Sequence, residues 1–247
     1  AGTDLSDLTR ANPGRRVAGG LASLGSAPGG NVFVADGALR HNGAVGLLLP
    51  AAIATEVMVS QGCQPVGEPL VVTRASGTMI EEIAGQPALD RLLAQAAEEE
   101  PEVRSRMARS LHVGLVLDEA KQAFGREDFL IRPVLGADKE RGAISVGSEV
   151  AVGSTVQFQV RDADSIGEDL RHALRRSDGD AALVFTGTER RELTDDAHAE
   201  AAIIHEELSG GASAGMSSAG EIGPVGPDHL LHASSTSIVR FTEPALS

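Results

Sequence analysis

The sequence predicts a mixed α/β (α+β) fold: two sheets with mixed parallel and antiparallel strands and flanking helices. Three observations carry this prediction. The apolar run Ala181-Ala182-Leu183-Val184-Phe185 has strand length, residues 195–208 place Ala197, Ala201, Ile204 and Leu208 at helical spacing, and a small-residue strand follows over 214–217. Strand, helix and strand in that order form a βαβ unit, with parallel strands and a right-handed crossover. The runs 129–134, 143–146 and 156–160 are strand-like and separated by glycine-containing turns, which predicts an antiparallel meander. The run Glu98-Glu99-Glu100-Pro101-Glu102 places like charges beside a helix breaker, so it marks a seam between a part over 1–97 and a part over 98–247.

The remaining elements follow in order. Asp4, Leu5, Asp7 and Leu8 suggest the last turns of a helix before Pro13-Gly14. Runs 31–34 and 44–49 read as strands joined by a turn that holds Asp36-Gly37 and Asn42-Gly43. Runs 57–59 and 70–73 are further strands split by a turn-rich stretch over 62–69, and 79–83 is another. Pro87 opens a helix to about residue 100, with Leu89, Leu92, Leu93 and Ala96 on one face. A second helix over 103–111 leads into a strand over 113–117. Residues 165–176 form a helix with Ile166, Leu170 and Leu174 on a narrow apolar stripe, and 236–241 is a last strand. The stretches 17–23 and 214–219 echo each other, each preceding a loop and an apolar strand. Two halves built alike would leave a crevice between two glycine-rich ends.

Composition excludes several classes. At 247 residues the chain can bury a sizeable core, and 42% hydrophobic content is ordinary for a globular protein. Aromatic content is 2%, with no Trp or Tyr, so the core is aliphatic. Six Phe make no stacking platform and a net charge of −14 repels phosphate, so nucleic acid is not an expected partner. The single cysteine, Cys63, permits neither an intramolecular disulfide nor a cysteine zinc site. No apolar run has the length of a membrane span and no leader is visible at Ala1, so the expectation is a cytoplasmic protein with no membrane partner.

The stretch with the most chemical character is Gly220-Glu221-Ile222-Gly223-Pro224. In an open α/β sheet ligands bind outside the carboxyl ends of strands, where this stretch is expected to lie. Its glycines would let backbone amides approach a ligand, and Glu221 is the only charge between Glu207 and Asp228. Ser217 and Ser218 stand just before it and His232 shortly after. Arg74 and Arg132 each follow a strand, where a guanidinium seeks a carboxylate from the protein or from a ligand. The predicted ligand-binding set is therefore Arg74, Arg132, Ser217, Ser218, Gly220, Glu221, Gly223 and His232. No nucleophile elbow, Walker A loop or HExxH motif is present, and the seven histidines have no spacing that completes a metal set.

Four stretches in order carry a family resemblance: Val59-Ser60-Gln61-Gly62-Cys63-Gln64-Pro65 with Val71-Val72-Thr73-Arg74; Phe124-Gly125 through Asp128-Phe129-Leu130-Ile131-Arg132; Val152-Gly153 through Thr155-Val156-Gln157-Phe158 to Arg161-Asp162; and Gly215 to Pro224 with Leu231-His232. Together they resemble the FIST domains, proposed intracellular small-ligand sensors. The resemblance implies the end of a FIST N-like domain over 1–97, its first portion absent, and a FIST C-like domain over 98–247. It implies a non-catalytic module that binds a small polar ligand, amino-acid or carboxylate-like, in signal transduction, with a signalling protein as a further partner. No cofactor motif is present. Some FIST proteins have been taken to bind haem through histidine, which would make His232 an axial ligand. The chain departs from the family pattern at Thr186-Gly187-Thr188-Glu189-Arg190, where a Cys-Asn-Gly-Arg-Gly-like turn is usual. Two other classes stay open: an enzyme using Glu221 with Ser217 or His232, and a protein-interaction scaffold.

Overall fold

A computed structural model describes residues 14–242 apart from 24, 26, 28, 195, 197 and 227. The helical turns read at Asp4–Leu8 lie outside the described residues. In chain order the strands are β1 (Gly19–Gly20), β2 (Phe33–Ala35), β3 (Ala38–Arg40), β4 (Thr55–Ser60), β5 (Gln64–Ser76), β6 (Met79–Ile83) and β7 (Gln86–Pro87). Helices α1 (Ala88–Glu98) and α2 (Pro101–Arg109) follow, then β8 (Leu111–Val116), β9 (Phe129–Asp138), β10 (Ala143–Val146) and β11 (Thr155–Val160). Helix α3 (Ala163–Leu174), β12 (Ala181–Gly187), α4 (Ala199–Glu207), β13 (Ala212–Ser218), β14 (Glu221–Val225), β15 (Asp228–His232) and β16 (Thr236–Phe241) complete the described chain. The mixture is α+β, with parallel and antiparallel pairs. Among the described residues no helix is long and apolar enough to cross a membrane.

Two compact units divide the chain. The first takes residues 1–60, 170–224 and 228–247, and the second takes 61–169 with 225–227. Glu98–Glu102 lies inside the second unit, running from the last residue of α1 into the first turn of α2, so the compact units divide elsewhere than between residues 97 and 98.

In the second unit the strands run in the order β10-β9-β8-β11-β5-β6-β7, and β10 pairs with β6 as well. That extra antiparallel pairing, Ile144 opposite Ile80, closes six antiparallel strands into a barrel. The expected meander is corrected here. β8 inserts between β9 and β11, because its inward residues, such as Val113, belong to the same aliphatic core as Phe158 and Ile144. The stretch read as turns over 62–69 is the first half of β5, held by Gln64–Val66 against β11. Helix α1 lays Leu89, Leu92 and Ala96 on the core, while Leu93, 59% exposed, does not join them. Pro101 starts α2 where its missing N–H costs nothing, and Met107 fixes that helix to the core.

In the first unit β13-β12-β16-β4 form an open sheet. β12 and β13 are parallel over seven pairs, Ala181 opposite Ala212 through Gly187 opposite Ser218, as the βαβ reading predicts. The crossover helix α4 packs Ile203 and Ile204, with Leu208 just past its end, on Ala182, Val184 and Ile238; Leu170 and Leu174 complete this core. At about 25 cal/mol per Å² of apolar surface, burying each of these side chains contributes roughly 1.5–3 kcal/mol. Phe33–Ala35 and Ala38–Arg40 form a hairpin whose turn residues Asp36 and Gly37 have φ of 51° and 73°, the doubly positive pattern of a two-residue turn. The predicted strand over 44–49 is not one. That stretch has no ladder partner among the described residues, and Leu47 and Leu48 are 81% and 69% exposed.

Candidate functional site

The predicted loop at Glu221 is corrected to a strand. β14 lies between β1 and β15, with Gly20 opposite Glu221, Gly19 opposite Ile222, and Leu21 N–H donating to the Gly220 carbonyl at 2.8 Å. The first glycine-rich stretch, at Gly19-Gly20, therefore pairs with Glu221-Ile222 as a ladder, while 214–218 pair with β12. Their glycines serve packing. A Cβ on Gly223 would stand 2.3 Å from Val59 Cγ2, and one on Gly220 would stand 3.1 Å from both Leu21 and Leu231.

A buried polar cluster occupies the end of the first unit's sheet where β12, β13 and β4 finish and β16 begins. Glu221 is fully buried. Its carboxylate accepts from Ser218 Oγ at 3.2 Å, from Ser235 N–H at 2.9 Å and from Ser235 Oγ at 3.0 Å. Burial pushes its pKa above the ordinary carboxylate range; those hydrogen bonds and the field of Arg190 pull the other way without cancelling it. Arg190, 1% exposed, donates Nε to Glu200 Oε1 at 2.6 Å and Nη1 to the carbonyls of Ser60 and Ser234 at 3.2 and 3.4 Å. Its Nη2 has no partner among the described residues. The second oxygen of Glu200 accepts from Thr186 and Thr236, each at 3.0 Å. Arg190 and Glu200 were not among the predicted residues. The string Thr-Glu-Arg-Arg-Glu reads locally as a solvated turn, and only the departure from the family pattern drew attention to it.

Beside the cluster, and sharing Thr186 and Glu200 with it, is a cavity of about 340 Å³. Val184 and Ile204 give it an apolar floor, Thr194, Asp196 and His198 form the wall before α4, and Ser213–Ser217 border it along β13. The first turns of α4 form part of its wall through Glu200, Ala201 and Ile204, and Ala214, Gly215 and Ser217 leave room beside them because they supply little side-chain volume. Its charge is negative. Arg190 neutralises Glu200, whereas no Lys or Arg pairs with Asp196 among the described residues, and the Asp196 Oδ1 accepts only the His198 N–H in a local turn at 2.8 Å.

The predicted set is thus placed unevenly. Ser217 borders the cavity; Ser218 and Glu221 are bonded to each other in the interior; Gly220 and Gly223 flank them as packing glycines. His232 is 3% exposed and its Nε2 donates to the Gly223 carbonyl at 3.2 Å. That commitment does not fit axial haem ligation through Nε2. Arg74 and Arg132 belong to the second unit. Arg74 is an exposed residue paired with Glu81 and Glu82, and Arg132 donates to the Ile131 carbonyl, burial lowering its pKa. Among the described residues no group of three or more His, Cys, Asp or Glu could hold a metal ion.

A two-unit α+β protein with a closed antiparallel barrel, and an open mixed sheet that carries a polar cavity beside its parallel pair, is the class defined so far. The FIST C domain matches residues 65–224 and the FIST N domain residues 4–86, so the chain belongs to the FIST family. It is similar to an uncharacterised protein of Mycobacterium tuberculosis (strain ATCC 25618 / H37Rv), 41% identical over 239 residues that cover 94% of this chain and 62% of that protein. An uncharacterised protein of Mycobacterium bovis is 40% identical over 238 residues, covering 94% and 61%. The chain therefore spans less than two thirds of the length of these relatives. No solved structure matches it. FIST domains are generally described as small-ligand sensors in signalling.

Proposed function

We propose that the chain is a non-catalytic sensory module, acting in intracellular signal transduction, whose first unit binds a small polar ligand bearing an amino group. The observation that carries this reading is the 340 Å³ cavity, with an apolar floor, hydroxyls from Thr186, Ser213 and Ser217, and the Asp196 carboxylate. A few polar groups around an apolar base are what orients a small ligand. An ammonium would face Asp196, and the hydroxyls would take the remaining polar atoms, as the amino end of an amino acid requires. The absence of catalysis is supported by how the candidate groups are spent. Glu221 is buried and held by Ser218 and Ser235, and His232 Nε2 donates to the Gly223 carbonyl, while Ser217, the serine of the catalytic alternative, borders the cavity on exposed β13.

The test is a thermal-shift screen with amines, amino acids and small carboxylates on the wild-type chain and on Asp196→Asn. Asparagine keeps the oxygen that accepts the His198 N–H and removes the charge. An amine at 100 times its Kd should stabilise the wild type by roughly 2.7 kcal/mol by mass action, and the variant by far less. An equal shift in Asp196→Asn, or a shift with carboxylates alone, would overturn this assignment.

A further inference from the structure

The two largest sheets treat their edges differently. The barrel of the second unit closes on itself through β10 and β6, whereas the sheet of the first unit ends at β13. β13 keeps an unbroken parallel register with β12 over seven residues, and Ala212 to Ser217 are all exposed. On the far side of β13 alternate N–H and C=O groups have no ladder partner among the described residues. Proteins protect such edges with Lys, Pro, inward charges or bulges. Ala212-Ser213-Ala214-Gly215-Met216-Ser217-Ser218 carries none of these, while β4, at the opposite edge of the same sheet, carries Glu56.

We propose that β13 is a docking edge for an extended peptide segment carrying a lysine or arginine. The peptide adds as a further strand and its cation reaches into the cavity toward Asp196. The inference rests on the reading above that this cavity binds a ligand, and goes beyond it by assigning a macromolecular partner. Strand addition supplies main-chain hydrogen bonds from the edge, and an adjacent pocket selects a side chain. Both parts are present. The cavity touches five consecutive residues of β13, Ser213 to Ser217, so it follows the backbone of the edge. Its other wall holds Asp196 and Glu200, and Arg190, which pairs with Glu200, is buried. Small side chains on β13 let a partner strand approach closely, and Met216, 41% exposed, is a flexible apolar contact. Charge decides the occupant. A second copy would bring another net charge of −14 to the same edge, whereas a basic segment is attracted to it.

The experiment uses the whole chain, ¹⁵N-labelled, and two synthetic peptides of alternating Val and Thr that differ only in a central Lys or Glu. With the Lys peptide, exchange of the outward amides within Ser213–Ser217 should slow by about tenfold or more, while β12 amides change little. The Glu peptide should bind at least about tenfold more weakly. Asp196→Asn should erase the preference between the peptides. Ala212→Pro, at the exposed first residue of β13 and outside the cavity lining, should weaken both while leaving the small-amine thermal shift intact, which separates failure of this proposal from failure of the small-ligand reading. No protection of β13 by the Lys peptide, or equal binding of the two peptides, would overturn the proposal. So would doubling of the mass of the peptide-free chain with β13 already protected, which would assign the edge to a second copy.

Discussion

Glu221 shows how one buried carboxylate can be structural although its sequence surroundings resemble a ligand loop. Three donors from Ser218 and Ser235 converge on it, and Arg190 stands near enough to act through its field. Removing one partner of such a set leaves the others desolvated without compensation, so Glu221→Ala should cost about 3–5 kcal/mol. Glu221→Gln keeps the shape and one acceptor, and should cost about 1–3 kcal/mol near neutral pH. The folded-state pKa lies above the ordinary value of 4.5, so the folded protein keeps a proton that the unfolded chain releases. The stability this confers is complete below 4.5 and is lost as pH rises through the folded value. Glutamine has no such titration, so the gap between wild type and Glu221→Gln should be wider at pH 4 than at pH 7, because rising pH favours the unfolded wild type, which releases its proton first. Urea unfolding at both pH values measures this, and an equal gap would remove Glu221 from the titrating core. Arg190 was not legible at this scale. Its burial comes from Glu200 ten residues on and from carbonyls contributed by Ser60 and Ser234, and no local pattern encodes those partners.

At the scale of elements, the crossover from β12 through α4 to β13 was legible because each piece announces itself: an apolar run, helical spacing and a small-residue run within about forty residues. β6, β10 and β16 were read with their observed bounds for the same reason. β14 was misread. Glycine and proline normally punctuate loops, but here they lie in a strand held by β1, whose residues are some two hundred positions away. The glycine is there because Val59 Cγ2 and Ser237 Oγ would stand 2.3 and 2.9 Å from any Cβ at Gly223. Gly223→Ala should therefore overpack the contact between β14 and the sheet, costing about 1–3 kcal/mol. Gly46→Ala, where a Cβ meets nothing within 4 Å, is the control and should stay within about 0.5 kcal/mol. If chemical denaturation finds the two variants alike, the packing account of the motif fails. The run over 44–49 was misread in the opposite sense. Val45, Leu47 and Leu48 have a strand's composition, but a strand also requires a neighbour, and none is provided among the described residues.

At the scale of the molecule, the family domains follow the chain while the compact units do not. The first unit is assembled from both ends of the sequence, with β4 against β16 in one sheet, and the second takes residues 61–169 between them together with 225–227. A seam read from charge and proline alone falls at Glu98–Glu102, but Arg104 ties that stretch down. It donates to the carbonyls of Ala96 at 2.9 Å, Ala97 at 3.4 Å and Glu99 at 2.9 Å. Proteolysis needs a segment that can leave its surroundings, and exposure without hydrogen bonding is a better guide to it than sequence position. The stretch around Leu47-Leu48 has that combination: exposed leucines and no strand partner among the described residues. A protease that cuts beside leucine, used briefly at low ratio, should nick the native chain there first and leave α1, α2 and the barrel strands intact. Arg104→Ala should then open a second site at 98–102, because the three carbonyls lose their common donor. First cleavage of the wild type at 98–102, or no new cleavage in Arg104→Ala, would return the weak point of the molecule to the acidic joint.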